Sequence, residues 1–266
     1  MNILKFLETF ANEDVLRSKM SRAETFSQFK KMGSDMALAA VPFGLASIAM
    51  APQKSSAATM VADSPVTALQ LALTLEYLEE EFYQTAVDTI GLIPLIGRER
   101  LVFEKIAQHE SAHVDFLIAG LGPNSIPKPT FDFTAGGLFN PFGDYAQFLA
   151  LAQAFEDTGV RAYKGQAGNL QSTPDLLQAA LQIHSVEARH ASEVRRIRGQ
   201  KGWIVQNDRG GLPAQAQPVY NGEENTIQAG FNTSTVSGIP PSAGSESFDE
   251  PLTGAEATAI ASLFIV

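Results

Sequence analysis

The sequence places the pattern Glu-x-x-His twice in the apolar stripe of a predicted helix. The first copy is Glu110 and His113 within HESAH, and the second is Glu187 and His190 within VEARH. Both pairs fall at the alternating spacing of threes and fours that faces the core of a helix bundle. A buried carboxylate is unfavourable unless a proton or a cation neutralises it. The chain must therefore fold so that these charged groups find a partner inside the core.

Four long segments with helical periodicity surround these pairs. Ser64–Pro65 and Thr173–Pro174 each supply an N-cap residue followed by proline at the first helical position. The predicted helices span about 65–90, 96–119, 144–168 and 174–198, and glycines are expected to end them at Gly91, Gly120, Gly168 and Gly199. Short connections join the first helix to the second and the third to the fourth, whereas residues 120–143 join the second to the third. This connectivity predicts an all-α four-helix bundle with a long crossover between helices 2 and 3.

The two halves of the predicted bundle are similar in sequence. LALTLEYLEEEFY in the first helix aligns with LALAQAFEDTGVRAY in the third, which places Glu76 opposite Glu156 and Tyr83 opposite Tyr163. The Glu-x-x-His copies follow in the second and fourth helices, in the same order. The chain is therefore predicted to be an internal repeat, in which each half contributes equivalent residues to the core.

The first helix offers several glutamates, and the repeat selects among them. Glu79, Glu80 and Glu81 align with residues that are not acidic, whereas Glu76 aligns with a glutamate. Glu76 is therefore the preferred inward carboxylate, with Glu80 in reserve. Glu79 would join the same face only if the helix were rotated slightly.

Together the four helices supply a set of six metal-binding side chains. The predicted ligands are Glu76, Glu110, His113, Glu156, Glu187 and His190. This set matches the known pattern of di-iron carboxylate bundles, in which two helices give one glutamate each and two give Glu-x-x-His. Four carboxylates balance two divalent cations, and neutral imidazoles complete the shell. Oxygen and nitrogen donors without thiolate favour iron or manganese, so we expect two such ions acting on O2 or hydrogen peroxide.

On these residues the chain resembles the ferritin-like superfamily, and more narrowly the ferritin-like domain proteins of the desiccation-related branch. The motifs that carry the resemblance are LEYLEEEFY, HESAH, AFEDTGVRAY, VEARH and the C-terminal FDEPLT. The resemblance implies a ferritin-like four-helix bundle at 64–199, an oxygen- or peroxide-reactive dinuclear site and a role in stress protection. Because the sequence contains no cysteine, electron transfer through a cysteine-rich iron module of the rubrerythrin type is excluded.

Two functional classes follow from this pattern. The first is a dinuclear oxidoreductase, either a ferroxidase-like oxidase or a catalase-like enzyme that reduces peroxide. The second is a non-catalytic bundle that binds metal or keeps the site for its stability. Tyr83 and Tyr163 are the candidate catalytic residues, because they share the inward face and either donate hydrogen bonds to ligands or are oxidised. Ordinary core tyrosines are the alternative, and His109 is expected to be exposed beside the first motif.

The first 63 residues differ from the bundle. Lys30 and Lys31 precede an uncharged run at 36–53 and a stretch of small residues, the order found in a secretory signal. We expect this leader to direct export, to the periplasm or beyond. A membrane anchor and a cytoplasmic helix pair are the alternatives, and membrane contact is expected only through this segment. The chain has 29 acidic and 19 basic residues, a formal net charge of -10 that disfavours nucleic acid as a partner.

Residues 200–266 are predicted to form an irregular extension that packs on the bundle. Trp203 and Tyr220 are the aromatic side chains expected to make this contact. The pattern Thr253-x-x-Glu256 is a capping box and predicts a short last helix at about 254–264. Its LFIV end has two interpretations, docking on the bundle or contact with a second copy in a homodimer.

Overall fold

The computed structural model describes residues 64–94 and 97–266, so the predicted leader lies outside the described residues. Four long helices dominate this part of the chain: α1 Pro65–Asp88, α2 Arg98–Leu121, α3 Tyr145–Gln166 and α4 Pro174–Ile197. Helix α1 packs along α2, and α3 packs along α4. The predicted all-α bundle with a long crossover after its second helix is confirmed. The helices in the described part of the chain include no candidate membrane span.

The N-termini of the helices differ in how they are capped. The Ser64 hydroxyl accepts a hydrogen bond from the Thr67 backbone N–H at 3.1 Å, as the sequence predicts. At the start of α4, Thr173 is the N-cap residue, as predicted, but its hydroxyl makes no capping hydrogen bond, because it donates to the carbonyl of Leu170 at 3.1 Å. The Asp144 carboxylate caps α3 by accepting hydrogen bonds from two backbone N–H groups of its first turn. Both predicted starts, at Ser64–Pro65 and Thr173–Pro174, are therefore confirmed, although only Ser64 caps its helix through its side chain.

The C-terminal glycines also divide into two groups. Gly91 and Gly199 adopt positive φ angles of 84° and 72° beyond α1 and α4, a conformation that favours glycine. Gly120 lies inside α2, which continues to its C-cap at Gly122, where φ is 52°. Gly168 lies within the short 3-10 helix that follows α3. The predicted ends at Gly120 and Gly168 are therefore wrong, because neither residue adopts the left-handed conformation.

The crossover between α2 and α3 contributes aromatic side chains to the core. The rings of Phe133 and Phe142 lie 5.3 and 5.7 Å from the ring of Phe82 on α1, measured between centroids. The Asp132 carboxylate fixes the turn between them by accepting hydrogen bonds from the backbone N–H groups of Thr134 and Gly136, each at 2.9 Å. The long connection is thus an ordered part of the core, which closes one end of the bundle.

The C-terminal extension is built from short elements. They are 3-10 helices at Ala214–Val219 and Thr233–Thr235, strands β1 Ile227–Gln228 and β2 Phe231–Asn232, and helices α5 Ala243–Glu246 and α6 Gly254–Ala261. The capping box of Thr253 and Glu256 is present at the start of α6, as predicted. The helix ends earlier than expected because the chain then turns back, and the Phe264 carbonyl accepts a hydrogen bond from the Asp132 N–H at 2.8 Å.

A buried arginine on α3 holds the extension against the bundle. Arg161 is 1% exposed, and its guanidinium donates to the backbone carbonyls of Glu250 at 2.7 Å and Asn221 at 2.8 Å. The same guanidinium pairs with the buried carboxylate of Glu223 at 2.7 Å. The carbonyl of Arg161 accepts a hydrogen bond from the Leu252 N–H at 3.0 Å. One side chain therefore ties together segments that are distant in sequence.

The two aromatic residues that were expected to contact the bundle, Trp203 and Tyr220, differ in their burial. Tyr220 is completely buried, and its hydroxyl donates to Asp157 on α3 at 2.8 Å. Trp203 is 47% exposed, and its indole N–H donates to Glu246 within the extension. Tyr220 therefore makes the buried contact with the bundle, whereas the hydrogen bond of Trp203 lies within the extension.

Candidate metal centre

The side chains predicted as metal ligands converge in the interior of the bundle. Five of them are buried at 5% exposure or less, and the sixth, His113, has a side chain that is 12% exposed. The fully buried carboxylates are Glu76, Glu110, Glu156 and Glu187. Each bundle helix supplies part of the cluster, because the apolar stripes of all four helices face one another.

The cluster consists of two overlapping donor groups. In each group, one ligand atom from every residue lies within 4.8 Å of the others. The groups are Glu76, Glu110, His113 and Glu187, and Glu110, Glu156, Glu187 and His190. Glu110 and Glu187 belong to both groups.

The two shared carboxylates divide their oxygens between the two groups. Glu110 directs Oε2 to 3.0 Å from His113 Nδ1 and Oε1 to 2.8 Å from His190 Nδ1. Glu187 directs Oε1 to 3.2 Å from His113 Nδ1 and Oε2 to 3.8 Å from His190 Nδ1. A carboxylate with one oxygen toward each of two donor groups has the position of a bridge between two cations.

Several polar atoms of this cluster have no hydrogen-bond partner within the described chain. They are Glu110 Oε1, Glu156 Oε2, both oxygens of Glu187, and His190 Nδ1. Although His190 Nδ1 lies close to Glu110 Oε1, the direction of approach is not that of a hydrogen bond. Buried polar atoms are nearly always paired. Since four of these five atoms face the donor group that contains His190, they fit a cation in the place of the missing partners.

The comparison with known families agrees with this geometry. A family model described as a ferritin-like domain matches residues 64–200, from the start of α1 to just beyond α4. The chain belongs to the ferritin-like domain family. The matched region contains the whole cluster, whereas the C-terminal extension lies outside it. No curated protein matches the chain at a significant level.

Two tyrosines in the ferritin-like domain donate hydrogen bonds to the cluster, each from one half of the repeat to a glutamate of the other half. The Tyr83 hydroxyl on α1 donates to Glu156 Oε1 on α3 at 2.6 Å, and the Tyr163 hydroxyl on α3 donates to Glu76 Oε1 on α1 at 2.5 Å. Burial, followed by the nearby carboxylate charges, raises the pKa of both tyrosines well above the usual value. Each tyrosine therefore keeps its proton and orients a carboxylate on the other half of the repeat.

A fifth carboxylate lies beside the centre of the ferritin-like domain. Glu79 is 2% exposed, and a Cβ atom added at Gly159 would lie 3.3 Å from Glu79 Oε1 and 3.5 Å from Glu187 Oε2. Gly159 therefore leaves room for two carboxylates. Glu80, the reserve ligand, is not brought to the centre, because it accepts hydrogen bonds from Ser111 and from a lysine of the crossover.

The sequence feature that indicates a buried Glu79 is its spacing from Glu76. A residue three positions after Glu76 shares its helix face, and its counterpart in the other half is the glycine that makes space for it. The alignment of the two halves of the repeat favours Glu76 as the metal ligand, because Glu76 aligns with a glutamate and Glu79 does not. The helix geometry brings both residues to the interior.

His109 takes part in the centre, contrary to the sequence-based expectation of an exposed side chain. Its Nδ1 lies 2.9 Å from His190 Nε2, and the two rings stack with centroids 5.2 Å apart. The tautomer in which His190 Nε2–H donates to His109 leaves Nδ1 of His190 facing the carboxylates without a proton. Such a contact fixes the orientation of a ligand imidazole. Burial, followed by the charge of His190, lowers the pKa of His109, so it serves as a neutral acceptor.

The ionisable groups of the centre perturb one another strongly. Burial, together with the charge of Glu187, raises the pKa of Glu76 to about 8. Burial also raises the pKa of Glu79 and of Glu156. Burial would lower the pKa of His113, but contacts with Glu110, Glu187 and Glu76 outweigh it and raise this pKa to about 12. Without cations, the cluster therefore balances its negative charge with protons.

Proposed function

We propose that this ferritin-like protein binds two iron or manganese ions and acts as an oxidoreductase that reduces O2 or hydrogen peroxide in stress protection. The observation that supports it is the division of Glu110 and Glu187 between two donor groups. A pair of redox-active ions held this way would supply one electron each to a shared oxidant.

The protein side chains have separate roles in this proposal. Glu110 and Glu187 would bridge the ions, while the remaining members of each group would hold one ion apiece: Glu76 with His113, and Glu156 with His190. The tyrosine hydroxyls keep the terminal carboxylates in place. Four ionised glutamates balance two divalent ions, and Glu79 adds no charge while it keeps its proton. Its raised pKa, caused by burial, supports that state.

Metal content tests the binding half of the proposal. Protein purified without chelator should contain about two iron or manganese ions per chain, as two donor groups require. Glu110→Ala should lose most of this metal, because it removes an oxygen from both groups. Glu80→Ala is the matched control, since Glu80 lies on the same helical hairpin but bonds outside the centre. Equal metal content in wild type and Glu110→Ala would contradict the proposed site.

Peroxide consumption tests the catalytic half. Ferrous protein prepared without oxygen should consume about half an equivalent of hydrogen peroxide per iron, since each peroxide accepts two electrons. The reaction should be faster than that of free ferrous ion, and His190→Ala should abolish the fast phase. Metal binding without a reaction faster than that of free ferrous ion would favour the second functional class, a bundle that binds metal but does not catalyse a reaction.

A further inference from the structure

A cavity opens on the surface between α2 and α4, next to the metal centre. Its volume is about 460 Å³, within the range of sites that bind small molecules. Leu101, Val102 and Ile106 on α2 provide an aliphatic lining, and Leu101 is 68% exposed. An exposed leucine in a concave apolar site gains stability when a ligand covers it. The cavity therefore suits an occupant with an apolar body.

The rim of this cavity is basic, although the whole chain is acidic. Arg98, Lys105 and Arg189 line it, against the single acidic residue Glu193. Glu193 is paired with Arg98. In the described part of the chain, neither Lys105 nor Arg189 forms an ion pair with a carboxylate. In a protein with a net charge of -10, this local excess of positive charge favours an anionic group.

The inner wall of the cavity is formed by the histidine pair of the metal centre. Both His109 and His190 line it, and they are bonded to each other at 2.9 Å. The opposite nitrogen of His190 lies 2.8 Å from Glu110. An occupant of the cavity would therefore be separated from the carboxylate cluster by one imidazole.

We propose that this cavity binds a small organic anion with an apolar body, the substrate class of the centre. The role as substrate rests on the proposed function, whereas the binding itself does not. The aliphatic lining holds the body of the ligand, and Lys105 and Arg189 hold its charged group. This pairing of apolar surface with a few placed charges is typical of sites that select one ligand class.

Calorimetric titration of the full chain with octanoate tests the proposal. Octanoate should bind, whereas octylammonium and 1-octanol should bind at least about tenfold more weakly, because they lack the negative charge. Lys105→Glu and Arg189→Glu should each weaken octanoate binding by a similar factor. Arg196→Glu is the matched control, an exposed arginine on α4 outside the cavity lining. No binding to wild type, or an equal loss in Arg196→Glu, would overturn the proposal.

The position of the ligand is tested by NMR of the imidazole nitrogens in metal-free protein. Octanoate should shift the signals of His109 and His190, which form the cavity wall, and leave those of His113 nearly unchanged. Signals of His109 that do not respond would place the ligand elsewhere and overturn the assignment. Since neither experiment requires bound metal, octanoate binding can stand when the peroxide test fails, and can fail when that test succeeds.

Discussion

At the scale of single residues, the centre of this protein is a group of charges that destabilise one another when no cation is present. Burial and the charge of Glu187 raise the pKa of Glu76 from an ordinary 4.5 to about 8. The carboxylates around His113 overcome its burial and raise its pKa from 6.5 to about 12. Both groups therefore bind protons more tightly in the folded state than in the unfolded state. Protons and metal ions compete for the same atoms.

This competition predicts how the metal-free protein responds to pH. The stability contributed by protonated Glu76 is complete below pH 4.5 and is lost as pH rises through about 8. The proton on His113 also contributes stability that is lost as pH rises, between its ordinary pKa of 6.5 and its raised pKa of about 12. The free energy of unfolding of metal-free protein should therefore fall between about pH 5 and about pH 8, measured by urea denaturation. Metal-loaded protein should not show this fall.

A variant separates this effect from other titrations. Glu76→Gln cannot lose a proton, so the fall in stability with pH should be smaller in metal-free Glu76→Gln than in wild type. Stability of the metal-free wild type that rises across this window would show that Glu76 is ionised without cost in the folded protein.

The reciprocal tyrosines give a second prediction at this scale. Tyr83→Phe and Tyr163→Phe should each lower metal affinity by about tenfold to a hundredfold, because each removes a hydrogen bond that orients a carboxylate. Tyr77→Phe is the control, since its hydroxyl donates to the carbonyl of Ile126 away from the centre. Affinity is measured by competition with a metal-binding dye. Equal effects of all three variants would indicate a general loss of stability.

At the scale of helices and segments, the sequence predicts periodic features better than contacts to the backbone. The alternating apolar spacing and the prolines at 65 and 174 predict the bundle, and the internal repeat predicts that Tyr83 and Tyr163 are equivalent. The repeat does not predict that Glu79 is buried, because Glu79 aligns with Gly159 in the other half, and only the helical angle from Glu76 places it in the interior. The attachment of the extension was not predictable, because Arg161 binds carbonyls of Glu250 and Asn221, and a backbone carbonyl has no sequence signature.

The close approach of Leu252 to α3 requires a glycine at position 165. A Cβ atom at Gly165 would lie 1.8 Å from the carbonyl oxygen of Leu252, a backbone atom that moves only with its whole segment. Gly165→Ala should therefore destabilise the protein by about 1–3 kcal/mol, the usual effect of overpacking. Gly168→Ala is the control, because nothing lies within 4 Å of its added Cβ. Urea denaturation should show a loss of stability in the first variant alone, and similar values for both would contradict the close approach.

At the scale of the whole molecule, the matched ferritin-like domain and the C-terminal extension pack against each other and share part of their core. The extension contributes to a core cluster shared with α1 and α3, and Tyr220 and Arg195 bind the same buried Asp157. Asp157 directly follows Glu156 of the metal centre. The extension therefore packs on the face of α3 next to the one that carries Glu156. Contact of the LFIV end with a second copy stays a prediction, which size-exclusion of protein truncated after residue 248 would test.

A buried ion pair also joins α3 to the extension: the side chains of Arg161 and Glu223 are each 1% exposed. Arg161→Met keeps most of the apolar volume but leaves the Glu223 carboxylate without its cation. Removing one partner of a buried pair costs about 3–5 kcal/mol where the remaining group stays charged. Burial raises the pKa of Glu223 to about 7, so the loss should be largest above that pH. We expect a loss of this size in urea denaturation, and faster proteolysis of the extension. The double variant Arg161→Met with Glu223→Gln should recover part of the loss, since no unpaired charge remains. If the double variant is as unstable as Arg161→Met alone, the carbonyl contacts of Arg161 and not its charge hold the extension in place.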